Sequence, residues 1–222
     1  MRIEKDNIWL LWPETLSEKM DIGRLNELYN GDKSFTIYIE ISDVKKTNYI
    51  QSIFTILPNF LSVDFKSHNE DEEGIIIHYT ISTDKAINYL ERRVDYSDKY
   101  CISYHYDMDN KIFFSVINGI ETLRYKLLDD ESLKTADNCH LILGSSDFPK
   151  NLKTENITEY NIDKMIICDD IVLYDTLKEM DNYRSVLKKN NVLGYYDFIE
   201  KTDYKIFDHS NNNNHIHLII NQ

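Results

Sequence analysis

Three histidines near the end of the chain have the residue types and spacing of a metal site. His215 and His217 alternate with apolar residues and would share one face of a strand, with Asp208 and His209 shortly before them. Imidazoles arranged in this way are suitable ligands for Zn²⁺. However, the stretch contains no cysteine and no further carboxylate. An ordinary pair of exposed strand histidines therefore explains the pattern better than a zinc site.

Paired carboxylates would be a second source of chemistry, because glycoside hydrolases cleave with two carboxyl groups that flank the scissile bond. On a strand this requires acidic residues that alternate, so that both point to one face. The densest acidic run, residues 70–73, lacks that pattern and precedes Gly74, which is typical of a solvated turn. Asp169 and Asp170 are adjacent and would point to opposite faces of a strand. We therefore expect no catalytic pair and no enzyme.

Aromatic residues offer a third kind of chemistry, which is contact with a sugar ring or a partner protein. The chain contains 16 tyrosines and 2 tryptophans, and a tyrosine presents both a flat apolar face and a hydroxyl. Trp12 is a candidate for stacking on a sugar, although a packed tryptophan is the commoner outcome. Tyr104 and His105 lie on opposite faces of one alternating strand, and either face could line a binding sheet. The candidate ligand-binding residues are Trp12, Tyr104 and His105.

Composition excludes several classes of function. A net charge of −13 argues against nucleic-acid binding, which needs clustered lysines and arginines. No apolar run approaches the roughly 20 residues of a membrane-spanning helix, and the first residues do not resemble a signal peptide, so no membrane insertion is expected. Cys101, Cys139 and Cys168 lack metal-ligand spacing. Free thiols favour a cytoplasmic protein or a fragment of a larger one.

Alternating apolar and polar residues recur along the chain at short intervals. Segments with this period of two cover residues 35–42, 61–65, 75–81 and 100–106. The clearest hairpin runs from Lys111 to Tyr125. Its turn is predicted at Asn118-Gly119, because both residues tolerate positive φ angles. Short strands repeated in this way are typical of an antiparallel sandwich or barrel.

Two later segments add to this pattern. Residues 165–174 are expected to form a strand, and Asp175 then has the position of an N-cap for a helix with apolar residues from Leu177 to Leu187. Near the end of the chain, the aromatic strand at residues 195–198 precedes an asparagine-rich turn at residues 208–215.

In their order, these segments resemble the laminin-G-like domains of the concanavalin A-like lectin superfamily. The strand–Asn-Gly–strand element, the Asp-Asp strand with its short helix, and the Asp-x-Ser…His turn have counterparts there. The likeness covers about residues 35–218. It departs at Asn211, where family members usually have glycine. The C-terminal motif normally stands at the front of such a domain, so its place here indicates either a permuted sandwich or the start of a second module.

The resemblance implies an all-β fold, namely an antiparallel concanavalin A-like jelly-roll sandwich with one or two short peripheral helices. Residues 1–30 fall outside the resemblance and are expected to form an N-terminal extension, with a strand and a short helix. Residues 31–222 would form the sandwich.

The function that the resemblance implies is a non-catalytic binding module of a larger multidomain protein, with a glycan as the leading ligand. A protein–protein interaction or structural module is the alternative, and a divergent glycoside hydrolase is a weaker one. Many sandwiches of this type hold a structural calcium ion, for which Asp170, Asp208 and Asn211 are the corresponding oxygen ligands. The simpler alternative is that Asp208 forms an Asx turn.

Overall fold

The computed structural model describes residues 8–11, 31–45, 50–57, 61–66, 74–134, 140–143, 160–178, 192–198, 205–210, 212 and 215–219. Within these residues the chain forms a sheet of eight strands, a sheet of six strands and a short helix. All pairings between neighbouring strands are antiparallel. The expected all-β jelly-roll sandwich is confirmed.

The elements in chain order are β1 (Ile8–Leu11), β2 (Phe35–Ser42), β3 (Ile50–Leu57), β4 (Leu61–Lys66), β5 (Ile75–Ser82), β6 (Ile87–Val94), β7 (Lys99–Asp107), β8 (Ile112–Ile117), β9 (Ile120–Lys126), β10 (His140–Leu143), β11 (Asn161–Cys168), α1 (Tyr174–Lys178), β12 (Val192–Asp197), β13 (Lys205–Ile206) and β14 (Ile216–Ile219). The eight-stranded sheet has the order β13-β14-β1-β10-β3-β4-β5-β6, and the six-stranded sheet has the order β12-β11-β2-β7-β8-β9. β6 and β9 are therefore edge strands.

Aromatic side chains from both sheets meet in the core between them. Phe65 of β4 packs against Tyr100 of β7, with ring centroids 5.3 Å apart. Phe54 of β3 and Tyr79 of β5 both contact Tyr104 of β7, each at 6.1 Å. All five side chains are buried. Because burial of a phenylalanine-sized side chain stabilises a fold by roughly 1.5–3 kcal/mol, these rings hold the two sheets together.

The two-residue turn predicted at Asn118-Gly119 is confirmed. β8 ends at Ile117, β9 begins at Ile120, and the φ angles of the two turn residues are 50° and 84°. Two successive positive φ angles are typical of a type I′ turn, whose twist matches that of the strands it joins.

The first and last strands belong to the same sandwich. β1 lies between β10 and β14 and pairs with both. It is therefore part of the eight-stranded sheet. The short helix expected in the N-terminal extension lies outside the described residues. β12 pairs with β11, so the aromatic strand near the C-terminus belongs to the six-stranded sheet.

β11 ends earlier in the chain than the sequence predicts, and α1 begins one residue before the predicted N-cap. A strand was expected to continue to Tyr174, but β11 ends at Cys168 and Tyr174 begins α1. Asp175 therefore lies in the first turn of the helix and not at its N-cap. The predicted continuation of this helix beyond Lys178 lies outside the described residues.

A buried hydrogen-bond network on the outer face of the six-stranded sheet explains why β11 ends there. Thr36 Oγ1 donates to the Asp170 carbonyl at 2.8 Å and accepts from the Val172 N–H at 3.0 Å. The hydroxyl proton of Thr36 is then in use, so His105 Nδ1, 3.0 Å away, must donate to Thr36. His105 Nε2 accepts from Ser103 Oγ at 2.9 Å. Burial lowers the pKa of His105 to about 3, which keeps the imidazole neutral and leaves Nε2 as the acceptor.

α1 covers part of the same outer face. Tyr174 and Leu177 of the helix pack with Tyr38, Ile166 and Tyr195 of the sheet in a second apolar cluster.

Among the described residues, no helix has both the length and the apolar character that crossing a membrane requires.

The replacement His105→Gln tests the neutral imidazole. Burial lowers the pKa of His105 to about 3, from 6.5. Below pH 6.5 the unfolded chain therefore binds a proton that the folded chain does not, so this residue lowers stability progressively as the pH falls from 6.5 toward 3. When the pH falls from 8 to 5, we expect the free energy of unfolding of the unmodified chain to drop by about 2 kcal/mol more than that of the variant. Urea unfolding at both pH values measures this. The same pH dependence for both proteins would contradict this.

Candidate binding site

A pocket opens where the edge strands β6 and β9 approach each other, on one side of the sandwich. Its volume is about 440 Å³, which is within the range of small-ligand sites. Its walls come from the end of β6, the loop that follows β6, and the turn between β8 and β9. The lining residues with the clearest roles are Arg92, Tyr96, Tyr100, Asn118, Ile120 and Thr122.

A β-bulge brings Thr122 into the wall of this pocket. The register between β8 and β9 shifts at Ser115 and Val116, which leaves Thr122 as an extra residue in β9. Thr122 Oγ1 lies 3.1 Å from the Tyr79 hydroxyl, which in turn donates to Ser115 Oγ at 3.2 Å. Three hydroxyl groups, drawn from both sheets, therefore meet beside the pocket.

Arg92 places a positive charge on the core-facing side of β6. It lies opposite Ile77, a core residue that is fully buried, and directly opposed residues of an antiparallel pair share a face. Its Nη1 donates to the Glu91 carbonyl at 2.7 Å. Burial raises the pKa of the Tyr79 hydroxyl, while hydrogen bonds and the nearby Arg92 charge oppose part of that rise. Tyr79 therefore stays a neutral hydroxyl near physiological pH.

Two tyrosines shape the wall after β6. The Tyr100 hydroxyl accepts from the Ser97 N–H at 2.7 Å and donates to the Asp95 carbonyl at 3.1 Å, and burial raises its pKa to about 12. The Tyr96 hydroxyl donates to the Val44 carbonyl at 2.7 Å, while the residue remains 43% exposed. The loop therefore presents a fixed aromatic ring to solvent.

The turn between β8 and β9 forms the opposite wall. Asn118 Oδ1 accepts from the Cys101 N–H at 2.9 Å, which orients the amide. Ile120 is 69% exposed. Glu121 accepts two hydrogen bonds from Arg124, at 2.8 Å and 2.6 Å. This wall therefore contributes an apolar side chain, an amide and a carboxylate that is already paired.

Two of the ligand-binding residues expected from the sequence, Tyr104 and His105, lie outside this pocket. Tyr104 is fully buried in the core, and His105 is fully buried within its hydrogen-bond network and stacks on Phe114 with ring centroids 4.3 Å apart. Neither ring is accessible to a ligand in this structure, because the alternation of β7 directs one ring into the core and the other into that network. Trp12 lies outside the described residues, so its role stays a prediction.

The acidic residues expected to bind calcium make hydrogen bonds within the protein. Asp208 Oδ1 accepts from the N–H groups of Tyr195 and Ser210 at 2.9 Å and 2.8 Å, and Oδ2 accepts from Ser210 Oγ at 2.7 Å. This is the Asx-turn alternative. Asp170 Oδ1 accepts from the next backbone N–H at 2.7 Å, and Asn211 lies outside the described residues. Within the described part of the chain, no three His, Cys, Asp or Glu side chains are grouped to hold a metal.

The histidines of the C-terminal turn also make local contacts. His215 Nδ1 accepts from the Asp208 N–H at 3.0 Å, which closes the turn. The ring of His209 packs edge-on against Tyr195, with centroids 6.3 Å apart. The side chain of His217 is not among those described. These contacts favour ordinary packing over a zinc site.

Sequence reasoning missed most of the pocket. Asn118 was recognised only as a turn residue, and Thr122 reaches the wall through a bulge that its residue type does not signal. The segment Ile87–Val94 has exposed polar residues on both faces and shows no clear alternation. The adjacent arginines at its end, Arg92 and Arg93, are the signal that could have drawn attention to this strand.

No protein-family model matches the chain, and no curated protein matches it either. Solved structures are similar in fold. A protein from Bacteroides ovatus, provisionally assigned as carbohydrate-binding, has a TM-score of 0.60 and 11% identity over 99% of this chain and 60% of its own. The binding domain of botulinum neurotoxin DC, in complex with SialylT, has a TM-score of 0.51 and 12% identity over 72% of this chain and 37% of its own.

A third similar structure is the heptameric SAP-like pentraxin from Limulus polyphemus. Its TM-score is 0.50, with 8% identity over 99% of this chain and 98% of the pentraxin. By contrast, this chain spans only 60% and 37% of the other two proteins. At such low identities, these likenesses show a shared fold, which is the antiparallel jelly-roll sandwich.

Proposed function

We propose that this chain is a non-catalytic binding module and that its edge pocket binds a glycan. The observation that carries the proposal is the pocket between β6 and β9, where the exposed ring of Tyr96 lies among hydroxyl, amide and guanidinium groups. A sugar ring has an apolar face of C–H groups and an edge of hydroxyls. A site for it therefore needs an aromatic surface and a few fixed hydrogen-bonding groups.

The aromatic surface of the pocket is held in position before any ligand binds. The hydrogen bond from Tyr96 to the Val44 carbonyl fixes one end of the side chain, and the bonds of Tyr100 fix the loop behind it. Binding then orders few further groups, which reduces its entropic cost. Ile120, on the other wall, adds an exposed apolar surface.

The polar groups are arranged in two layers. Thr122 and Arg92 line the pocket and can reach a ligand. Behind them, the Tyr79 hydroxyl and the Ser115 carbonyl hold Thr122 in place. Because the Thr122 hydroxyl donates within the protein, its oxygen is available to accept a hydrogen bond from a sugar hydroxyl.

The similar structures support the proposal at the level of the fold. One of them is a protein provisionally assigned as carbohydrate-binding, and another is the binding domain of a toxin. A laminin-G-like relationship and a place within a larger multidomain protein are further parts of the proposal, and both rest on the sequence resemblance. Fold alone does not dictate function, so the pocket carries the argument.

A protein partner is the second candidate, and exposed apolar residues on the edge strands favour it. Ile87 is 43% exposed, Tyr89 is 55% exposed and Ile120 is 69% exposed. An edge strand with such residues can pair with a strand of another protein. The change Ile87→Lys would abolish that contact and leave sugar binding unchanged, because Ile87 does not line the pocket.

Replacement of Tyr96 by alanine should weaken glycan binding by about 10-fold, because a ring contact of this kind contributes about 1.4 kcal/mol. Thr122→Val should also weaken it, since the ligand loses a hydroxyl partner. The matched control is Tyr89→Ala, which removes an exposed tyrosine outside the pocket. Affinities for a hit from a glycan array would be measured by calorimetry. Equal losses for Tyr96→Ala and Tyr89→Ala would contradict this site.

The purified chain should not hydrolyse β-glucans, galactans or other common polysaccharides during long incubation, as measured by release of reducing ends. Hydrolysis requires two available carboxyl groups, about 5 Å apart for retention and wider for inversion. Of the carboxylates that line the pocket, Asp95 and Glu121, the second is bound by Arg124. Turnover that disappears in Asp95→Asn or Glu121→Gln would show that the chain is an enzyme.

A structural calcium ion at Asp170, Asp208 and Asn211 remains a proposal that rests on the family resemblance. If it binds the native state, a chelator will lower the melting temperature and calcium, but not magnesium, will restore it. The double change Asp170→Ala, Asp208→Ala should abolish that response. The control Asp208→Asn keeps an acceptor for the turn. An unchanged melting curve, in protein first shown to contain metal, would reject the ion.

A further inference from the structure

We infer that the glycan bound in the edge pocket carries a carboxylate group, which pairs with the guanidinium of Arg92. This inference rests on the proposed function, because it names the class of sugar that the same pocket takes. Three observations lead to it: the hydrogen bonding of Arg92, the charges around the pocket, and the neutral hydroxyls beside this arginine.

The Arg92 guanidinium has donors to offer a ligand. Arg92 is exposed and lines the pocket, and the structure assigns its Nη1 to a backbone carbonyl, that of Glu91, at 2.7 Å. Among the described residues, no carboxylate forms an ion pair with Arg92. Arg124, on the neighbouring edge strand, is by contrast held by both oxygens of Glu121. Arg92 is thus a guanidinium that faces a pocket without an acidic partner from the described residues.

The charge around the pocket is less negative than that of the whole chain. A net charge of −13 repels anions from most of the surface. The lining of the pocket contains two arginines, Arg92 and Arg93, and two carboxylates, Asp95 and Glu121, of which Glu121 is paired with Arg124 outside the lining. The formal charges of the lining residues therefore cancel, so an anion meets less repulsion here than the net charge of the chain would give.

The chemistry of the neighbouring groups favours a carboxylate on a sugar. The planar guanidinium matches a carboxylate with two parallel hydrogen bonds. Burial raises the pKa of Tyr79, so its hydroxyl adds no negative charge that would repel the ligand. Thr122 lies within hydrogen-bonding distance of Tyr79 and can bind a sugar hydroxyl next to the carboxylate. Across the pocket, the ring of Tyr96 provides the surface for the sugar's apolar face.

An inward-facing arginine on an edge strand has another general role, which is to discourage pairing with a second chain. That role predicts no preference between charged and neutral sugars. A preference for the carboxylate, lost when Arg92 is replaced, therefore separates ligand binding from edge protection.

The test compares two pairs of sugars by isothermal titration calorimetry with the full chain. Trigalacturonic acid is matched with its neutral methyl ester, and 3′-sialyllactose is likewise matched with its neutral methyl ester. We expect the acid of at least one pair to bind about 10-fold more tightly than its neutral partner, as a charge-assisted bidentate pair would give. Arg92→Gln should reduce the affinity for that acid to that for the neutral sugar. Arg92→Lys keeps the positive charge but loses the planar pair of N–H donors, so it should retain part of the preference.

Lys126→Gln is the charge-matched control, because Lys126 is an exposed residue of β9 outside the pocket. It should leave the preference unchanged, and an equal loss in both variants would overturn the inference in favour of general electrostatics. Equal affinity for acid and neutral sugar would overturn the carboxylate but leave glycan binding in place. Tighter binding of a sulfated galactose trisaccharide than of either acid would also overturn the carboxylate and leave glycan binding in place. No binding of any sugar would reject the inference together with the proposed function.

Discussion

The side chain of Tyr79 joins the core of the sandwich to its open side, and the pocket depends on that connection. Its ring stacks on Tyr104 in the core, while its hydroxyl reaches Ser115 and Thr122 of the opposite sheet. The ring therefore helps to fix the separation of the sheets, and the hydroxyl holds the bulged segment of β9. Without this cross-sheet contact, the wall that faces Arg92 would lose its main support.

The two faces of the six-stranded sheet show why the site lies at an edge. One face forms the core, and part of the other is occupied by α1 and by the network of Thr36, Ser103 and His105. These hydroxyl and imidazole groups could bind a ligand in another setting. Here they bond to one another and to the backbone after β11, so they stabilise the fold. The pocket between β6 and β9 instead has exposed polar groups.

The sequence predicts most of the fold, because alternation and turn chemistry are local signals. The strands β2, β4, β5 and β7 and the Asn118-Gly119 turn follow from residues that are close together in the chain. The end of β11 was missed because Thr36, far away in sequence, bonds the backbone of Asp170 and Val172. The position of β1 within a sheet likewise depends on its partner strands β10 and β14, and the residues of β1 alone do not identify those partners.

The site is less predictable than the fold for a related reason. Tyr104 and His105 have suitable side chains for binding, but their burial is decided by which sheet face meets the core or a second layer. Arg92 and Thr122 belong to edge strands, and their approach depends on how the two sheets pack. Thr122 also depends on a bulge, since a regular β9 would alter the direction of its side chain. Residue types indicate which side chains could bind a ligand, but tertiary packing determines which of them are accessible to it.

The most direct test of the account is to map a bound sugar onto the chain by backbone amide chemical shifts in NMR. A saccharide that binds in calorimetry would be titrated into isotope-labelled protein. The account predicts that the largest shift changes cluster at residues 92–97 and 117–122, on the two walls of the pocket. Changes confined to other strands, with both of these segments unaffected at saturation, would contradict it.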